Sequence, residues 1–361
     1  MIKRIGVMTG GGDCPGLNAV LRAVVKTSMV KYGYDVVGFR DGYRGLVLDD
    51  YVDFRPGDAS GILDKGGTIL GTSNRDNPFK FRVESNGTVN YVDMSGKVIE
   101  NIKAHGIDAL ILIGGDGTLT SARDFARLGV KVVGVPKTID NDLSATDTTF
   151  GFMTAVDTAT EAIDKLHSTA ESHHRVMILE VMGRYAGWIA LTAGISGGAD
   201  VILIPEIEYD MSKVTQKILE RQAGGKHFSI VVAAEGAKEK NGGLIISKVD
   251  ESSPDPIRLG GVGNKVAADI ERLTGIETRV TVLGHLQRGG RPNPYDRLLS
   301  TRYGVKAVEL VNEGKFGCMV ALNGNEITAV SLEDAVGKLK TVPPDGELVR
   351  ISKDLGVSFG D

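Results

Sequence analysis

Val130-Lys131-Val132-Val133-Gly134-Val135-Pro136-Lys137-Thr138-Ile139-Asp140-Asn141-Asp142 is the stretch on which the reading of the fold turns. Its apolar half, 130–135, is short and rich in valine, the pattern of a strand buried in a parallel sheet. The loop after such a strand lies at the carboxyl end of the sheet, where open α/β folds place their ligands. Two carboxylates two residues apart, beside a threonine and a lysine, are an expensive cluster for a tight loop. They make sense where a metal ion, or a substrate proton and a phosphate, must be handled. Alone, residues 136–142 also read as a Pro-initiated, Asn/Asp-rich turn.

The flanking chain repeats the theme. Residues 5–9 read as a strand, Gly10-Gly11-Gly12-Asp13-Cys14-Pro15-Gly16 as a loop, and 17–31 as a helix with Leu17, Val20, Leu21, Val24 and Val25 on one apolar face. Residues 110–113 form another strand, running through Gly114-Gly115-Asp116-Gly117-Thr118 into a helix over about 119–128. Strand, Gly-rich loop and helix together build an anion site from backbone N–H groups and the positive end of a helix dipole. Neither loop carries the Gly-Lys-Ser/Thr ending of a P-loop or the Gly-x-Gly-x-x-Gly dinucleotide fingerprint.

The second half continues the alternation. Helices are expected over about 152–170, 186–195, 211–222 and 262–273. Strands are expected at 176–181, 201–204, 229–234 and 278–283. Three of these strands run into Met182-Gly183-Arg184, Glu235 and Gly284-His285-Leu286-Gln287-Arg288-Gly289-Gly290. Residues 236–260 are polar, contain Pro254 and Pro256, and read as a surface insertion. The fold class is therefore α/β: two Rossmann-like lobes with mainly parallel sheets flanked by helices.

Bulk properties agree. The chain has 361 residues, 42% of them apolar and 24% charged, the balance of a soluble protein with more than one core. A net charge of −4 implies no nucleic-acid partner. No stretch is apolar enough to span a membrane. The N-terminus leads straight into a strand, so no targeting peptide is expected. The two cysteines, Cys14 and Cys318, belong to no metal or redox spacing, which fits a cytoplasmic location.

Placed on strand ends, several residues acquire chemistry. Asp116, flanked by glycines, is a Mg²⁺ carboxylate or a helix N-cap. Arg75, Arg175, Arg184, Arg279 and Arg288 fall at or near strand ends or in loops, where guanidinium groups suit phosphate. His285 lies within a glycine-bounded run. His173 and His174 are adjacent, do not share a helix face, and read as structural; Trp188 reads as core.

The sequence resembles the phosphofructokinases, which phosphorylate fructose 6-phosphate at its 1-hydroxyl. The resemblance covers nearly the whole chain. It rests on the ordered set Gly-Gly-Asp-Cys-Pro-Gly (11–16), Gly-Gly-Thr-Ile-Leu-Gly (66–71), Gly-Gly-Asp-Gly-Thr (114–118), 136–142, Glu180-Val181-Met182-Gly183-Arg184 and 284–290. Gly-Gly-Asp-Gly-Thr alone is weak, because NAD and lipid kinases share it.

The resemblance implies Asp140 as the base that takes the 1-hydroxyl proton, with Thr138 and Asp142 beside it. It implies Asp116 as the Mg²⁺ ligand and Gly12, Arg75, Gly115, Asp116, Gly117 and Thr118 as the donor site. Arg184 would stabilise the transferring phosphoryl group. Met182, Gly183, Glu235, His285 and Arg288 would bind the sugar phosphate. Arg175 and Arg279 would reach the 6-phosphate from a neighbouring subunit, hence a homodimer or homotetramer with shared active sites. A donor lobe would comprise 1–150 plus about 290–337, and a sugar-phosphate lobe 151–289 plus about 338–361.

The donor-determining pair is mixed. Gly117 is the choice that admits ATP, whereas Lys137 is the choice found with pyrophosphate; both occur together in a long-chain branch, which the insertion after Glu235 also resembles. An Asp at 117 would add bulk and negative charge against a polyphosphate, whereas Lys137 is cationic and need not exclude ATP. The expected donor is thus ATP, with pyrophosphate as the alternative. Arg22, Lys26 and Lys226 match basic positions of a bacterial effector site in which His167 replaces an arginine, so weakened effector control is expected. A non-catalytic sugar-phosphate sensor, a dinucleotide-binding oxidoreductase and a NAD or lipid kinase are the other readings. The catalytic set, the missing fingerprint and the His285–Arg288 run respectively weigh against them.

Overall fold

In the computed structural model, which describes residues 2–85, 88–249 and 256–361, two sheets carry the chain. The larger has seven strands in the order Glu326–Ser331, Cys318–Asn323, Val132–Pro136, Ala109–Gly114, Arg4–Thr9, Asp35–Phe39 and Tyr51–Asp53. Its five inner strands are parallel and its two edge strands antiparallel. The smaller has four parallel strands in the order Thr278–Val282, Val176–Val181, Ser229–Ala234 and Val201–Leu203.

Strand order positions the site. From Arg4–Thr9 the chain steps to one side, to Asp35–Phe39, and later returns on the other side as Ala109–Gly114. From Val176–Val181 it builds outward in one direction, then comes back as Thr278–Val282 on the other flank. Such reversals open a crevice at the carboxyl ends of the strands. Residues 10–16 and 114–118 flank one crevice, and 182–184 and 284–288 the other.

Leu110, Ile111, Leu112 and Ile113 have no exposed surface, as a strand covered on both faces requires. Full burial of each such side chain contributes about 1.5–3 kcal/mol. One buried cluster joins a face of the larger sheet (Ile111, Ile113, Val133) to a face of the smaller (Leu179, Ile202, Val232), with Phe152, Ala155 and Ile163 of the helix Phe152–His173 between them.

Several boundaries differ from the sequence reading. The first helix is α-helical over Leu17–Lys26 and then widens into a π-helical turn, Thr27–Tyr32, that ends at Gly33 in the left-handed region. The next Gly-rich loop is shorter than expected, because the helix starts at Asp116 and runs to Arg127. Asp116 is therefore a first-turn residue, capped by Gly115. The 236–260 insertion contains an antiparallel pair, Ile246–Val249 with Ile257–Leu259, while Pro254 lies outside the described residues. A second hairpin, Phe81–Ser85 with Thr88–Val92, has no counterpart in the sequence reading.

Candidate active site

At the carboxyl end of the larger sheet, close backbone approach requires glycine. A Cβ on Gly10 would lie 2.8 Å from Thr118 Oγ1, and one on Gly114 would lie 2.3 Å from Thr118 Cβ. The Thr118 side chain thus fills the gap between the two Gly-rich loops, and Tyr43 donates from its hydroxyl to Thr118 O at 2.8 Å. Gly11 N donates to Ser73 O at 2.9 Å and Thr72 Oγ1 donates to Gly11 O at 2.7 Å, so the loop bearing exposed Arg75 is laid against the first Gly-rich loop. Asp116 accepts from Gly337 N at 3.0 Å. Gly117 is different. It is exposed, its φ lies outside the left-handed region, and nothing stands within 4 Å of a Cβ built there. Neither backbone nor packing demands a glycine at 117, and what its absent side chain leaves is open space at a helix N-terminus.

At the centre, Lys137 N donates to Gly114 O at 3.0 Å, and its buried ammonium donates to Gly12 O. Burial pushes that ammonium below its ordinary pKa. Thr138 Oγ1 accepts from Asp140 N at 3.1 Å, and Thr138 O accepts from Thr149 Oγ1 at 2.7 Å. Asn141 adopts φ 52°, a left-handed conformation that Asn tolerates better than most residues. Its Oδ1 accepts from Thr149 N at 3.1 Å and from Lys340 Nζ at 3.0 Å. Asp140 is 5% exposed and its buried Oδ1 has no hydrogen-bond partner. An unsatisfied buried acceptor costs about 1–3 kcal/mol, which makes this oxygen a candidate for contact with a ligand or water. Burial, then the Asp140 carboxylate, then Asp116 push the Asp142 carboxyl up to about 7, with Arg184 opposing.

On the acceptor side, Arg184 follows Gly183 (φ 141°) and itself has φ 53°. Glu235 Oε1 accepts from Arg184 N at 3.0 Å, and a Cβ on Gly236 would lie 2.0 Å from Arg184 O. Burial pushes Glu235 up to about 7; Asp140 and Glu180 add to the shift, while the Arg184 amide and Arg288 oppose it. Arg288, at the end of a short 3₁₀ turn Gly284–Arg288, donates to Asp13 O at 3.2 Å. A Cβ on Gly12 would lie 2.8 Å from its guanidinium. The two sheets therefore meet where Arg288 touches the first Gly-rich loop. Met182 is half-buried beside these groups, and His285 is exposed.

The structure thus gathers Gly12, Gly115, Asp116, Gly117, Thr118, Lys137, Thr138, Asp140, Asp142, Arg184, Glu235 and Arg288 at the carboxyl ends of the two sheets. It does not bring Arg175 and Arg279 there. Both stand at the amino end of the smaller sheet, where Val176 pairs with Thr278. Arg175 Nε donates to Glu277 at 2.7 Å, and Arg279 pairs with the same carboxylate. Of the effector positions, Arg22 and Lys26 lie on the first helix and Lys226 is exposed, while His167 is bonded through Nε2 to Gly197 O at 2.7 Å.

Trp188, expected in the core, is half-buried and packs against it, and its indole N–H donates to Lys340 O at 2.8 Å. It lines a cleft of about 490 Å³ with Asn141, Asp147, Asn323 and Lys340. His174 closes its helix at φ 53° and has no metal partner set. Among the described residues no group of three or more His, Cys, Asp or Glu gathers as a metal site, and no helix is long and apolar enough to cross a membrane. The sequence reading missed Asn141, whose place in an Asn/Asp-rich turn was its signal, and Glu180. Glu180 is buried and accepts from Gly261 N at 3.0 Å and Gly263 N at 2.7 Å at a helix start. It also missed Gly337 and Lys340, for which no local signal exists.

Residues 4–311 match the family Phosphofructokinase. The chain belongs to the phosphofructokinase family. It is similar to "ATP-dependent 6-phosphofructokinase 2" of Clostridium perfringens, with 60% identity covering 100% of this chain and 99% of that one. It is also similar to "Pyrophosphate--fructose 6-phosphate 1-phosphotransferase" of Streptomyces coelicolor, with 51% identity covering 99% of this chain and 100% of that one. Among solved structures, Saccharomyces cerevisiae phosphofructokinase matches with a TM-score of 0.76 and 32% identity over 98% of this chain. This chain spans 46% of the yeast one. The fold expected from the sequence, α/β with mostly parallel sheets flanked by helices, is the fold observed.

Proposed function

We propose that this phosphofructokinase transfers a phosphoryl group from ATP to the 1-hydroxyl of fructose 6-phosphate, giving fructose 1,6-bisphosphate in glycolysis. The observation that carries the reading is Asp140: a buried carboxylate with an unpartnered oxygen, at the meeting point of a Gly-rich anion site and an Arg/Glu-lined strand end. Phosphoryl transfer needs positioning and charge neutralisation more than covalent chemistry. Asp140 takes the hydroxyl proton. Burial and the Asp140 carboxylate raise the Asp142 carboxyl, which eases like-charge repulsion beside that base. Arg184 faces the developing charge. Glu235, His285 and Arg288 hold the sugar phosphate, with Met182 and Gly183 shaping its seat, and Lys137 sets a positive charge beneath the first Gly-rich loop.

Mg²⁺ takes one or two carboxylates plus phosphate oxygens and water, so it needs no cluster of three protein carboxylates. Asp116 meets that demand: among its described contacts one carboxylate oxygen takes one backbone amide. Asp116 would hold the ion beside the donor, where it neutralises phosphate charge. The open space at Gly117 supports ATP as donor, and the relative from Clostridium perfringens, named as ATP-dependent, points the same way. The Streptomyces coelicolor relative keeps pyrophosphate as the second reading. The proposal includes a cytoplasmic enzyme whose active sites are shared between subunits, and the two-lobe division given by the resemblance. Formation of fructose 1,6-bisphosphate with Mg²⁺ and either ATP or pyrophosphate tests it. Turnover with ATP alone supports the reading, and turnover with pyrophosphate alone overturns the donor assignment.

A further inference from the structure

Residues 337–342 lie across three parts of the site although they are nearly two hundred positions away in sequence from the central loop. Gly337 N donates to Asp116 Oδ1 at 3.0 Å. Leu339 forms an isolated bridge with Leu143, and Lys340 N donates to Asp142 O at 2.8 Å. Val342 N donates to Glu206 Oε1 at 2.8 Å, and Glu206 also accepts from Gly187 N, one residue before Trp188, at 3.0 Å. This stretch of backbone thus touches the helix Asp116–Arg127, the central loop, Glu206 and, through Trp188, the first turn of the helix Trp188–Ser196 within six residues.

Lys340 is the knot in this segment. Its half-buried ammonium has three protons to donate. They go to Asn141 Oδ1 at 3.0 Å, Thr146 O at 2.9 Å and Asp147 O at 2.8 Å. Its carbonyl accepts from Trp188 Nε1 at 2.8 Å, and the ammonium stands 5.6 Å from the centre of that indole ring. Asn141 is the left-handed residue between Asp140 and Asp142. Its side-chain oxygen has two protein donors, Thr149 N and Lys340 Nζ. Removing the lysine leaves one.

We infer that Lys340 is a positioning residue for phosphoryl transfer: it holds Asn141 in its left-handed conformation, sets the relation between Asp140 and Asp142, and couples that loop to the smaller lobe through Trp188. The inference rests on the reading of Asp140 as the base. Lys340 touches no reacting atom, so its effect falls on the transition state through geometry, where small misplacements are costly. Substrate binding, carried by other residues, is largely spared.

The test uses the full chain, with turnover measured by bisphosphate formation. Lys340→Met, close in length but unable to donate, is expected to lower kcat about 10–100-fold while both KM values stay within about threefold. The chain's single tryptophan, Trp188, reports the same contact, so its emission should shift in Lys340→Met. Asn141→Ala is made alone and combined with Lys340→Met. If the lysine acts through the asparagine, the double variant loses less than the product of the two single losses. An unchanged kcat in a folded Lys340→Met, or fully multiplicative losses, overturns the inference. If Lys340→Met does not fold, Trp188→Phe decides. It removes one N–H from Lys340 O and keeps an aromatic ring, and it should lower kcat by about 3–10-fold with little change in KM; an unchanged kcat again overturns it. Asp140→Asn measured in parallel separates the two levels. Loss there with none at Lys340 sinks the positioning role alone, and full activity there sinks the reading of the site and this inference with it.

Discussion

The two ends of the four-stranded sheet are built from similar residues and do different things. At the carboxyl end, Arg184 and Glu235 occupy glycine-bounded turns, Glu235 is raised to about 7, and Arg288 reaches across to Asp13 O. At the amino end, Arg175 and Arg279 share the Glu277 carboxylate at the surface. The first end converges on Asp140 within one chain. The second faces away from it, so under the proposed sharing of sites those arginines would serve another copy. Charge type is therefore not what distinguishes these two pairs of arginines; the strand end is.

The largest expected effect tests the converging end. Asp140→Asn should lower kcat by about 10²–10⁴-fold, the usual contribution of a positioned base, with the fold retained by circular dichroism. A loss of less than tenfold would move the chemistry away from this loop.

The next tests the diverging end. Arg279→Ala should raise the KM for fructose 6-phosphate about tenfold or more, as loss of a charged hydrogen bond to phosphate implies. The sharper experiment mixes Asp140→Asn and Arg279→Ala chains after dissociation and reassembly. If sites are shared, hybrids assayed at fructose 6-phosphate well below the raised KM are more active than either variant alone, because one site per pair then has both native residues. No recovery in verified hybrids breaks the comparison at its root.

Gly117 extends the contrast to the larger sheet, where the site is defined by space. Gly117→Asp should keep or slightly raise thermal stability, since a carboxylate in a first helical turn is favourable by about 0.3–1 kcal/mol. It should cut kcat/KM for ATP by about tenfold or more through bulk and like charge. Unchanged ATP use would return donor choice to Lys137.

The smallest effect concerns pH. An unfolded Glu titrates near about 4.3, whereas Glu235 is raised to about 7 by burial. The native state therefore holds a proton that the unfolded chain has released, and stability falls as pH rises through that window and stays lower above it. Glu235→Gln removes this loss, roughly 3–4 kcal/mol at most. Its melting temperature should exceed the parent's by a few degrees at pH 8, with the gap closing near pH 5. A gap of equal size at both pH values would show that Glu235 does not carry the titration.

Much of the centre of both sheets was legible in the sequence because its cues are local. Valine- and isoleucine-rich runs ending in Gly-rich loops announce buried parallel strands, and 5–9, 110–113 and 176–181 fall within strands observed to be buried. The strands Asp35–Phe39, Tyr51–Asp53, Cys318–Asn323 and Glu326–Ser331 went unread, two of them at an edge, where periodicity is weak. Trp188 packs against the core as read, but an apolar neighbourhood cannot reveal that its indole N–H has a partner at Lys340 O.

From the sequence alone come the α/β class, the loops that end its strands, the family resemblance, and the residues Asp116, Asp140, Arg184 and Glu235, since each is announced by glycines or an apolar run beside it. The tertiary structure decided the rest. It showed that Gly117 keeps space rather than backbone freedom, that Asp140 has a buried oxygen without a partner, that Arg175 and Arg279 point to the far end, and that Lys340 holds Asn141 across 199 positions of sequence. The physical reason is range. Hydrophobic pattern and turn chemistry act over a few residues, whereas desolvation, open space and a hydrogen bond between distant segments exist only once the chain has packed.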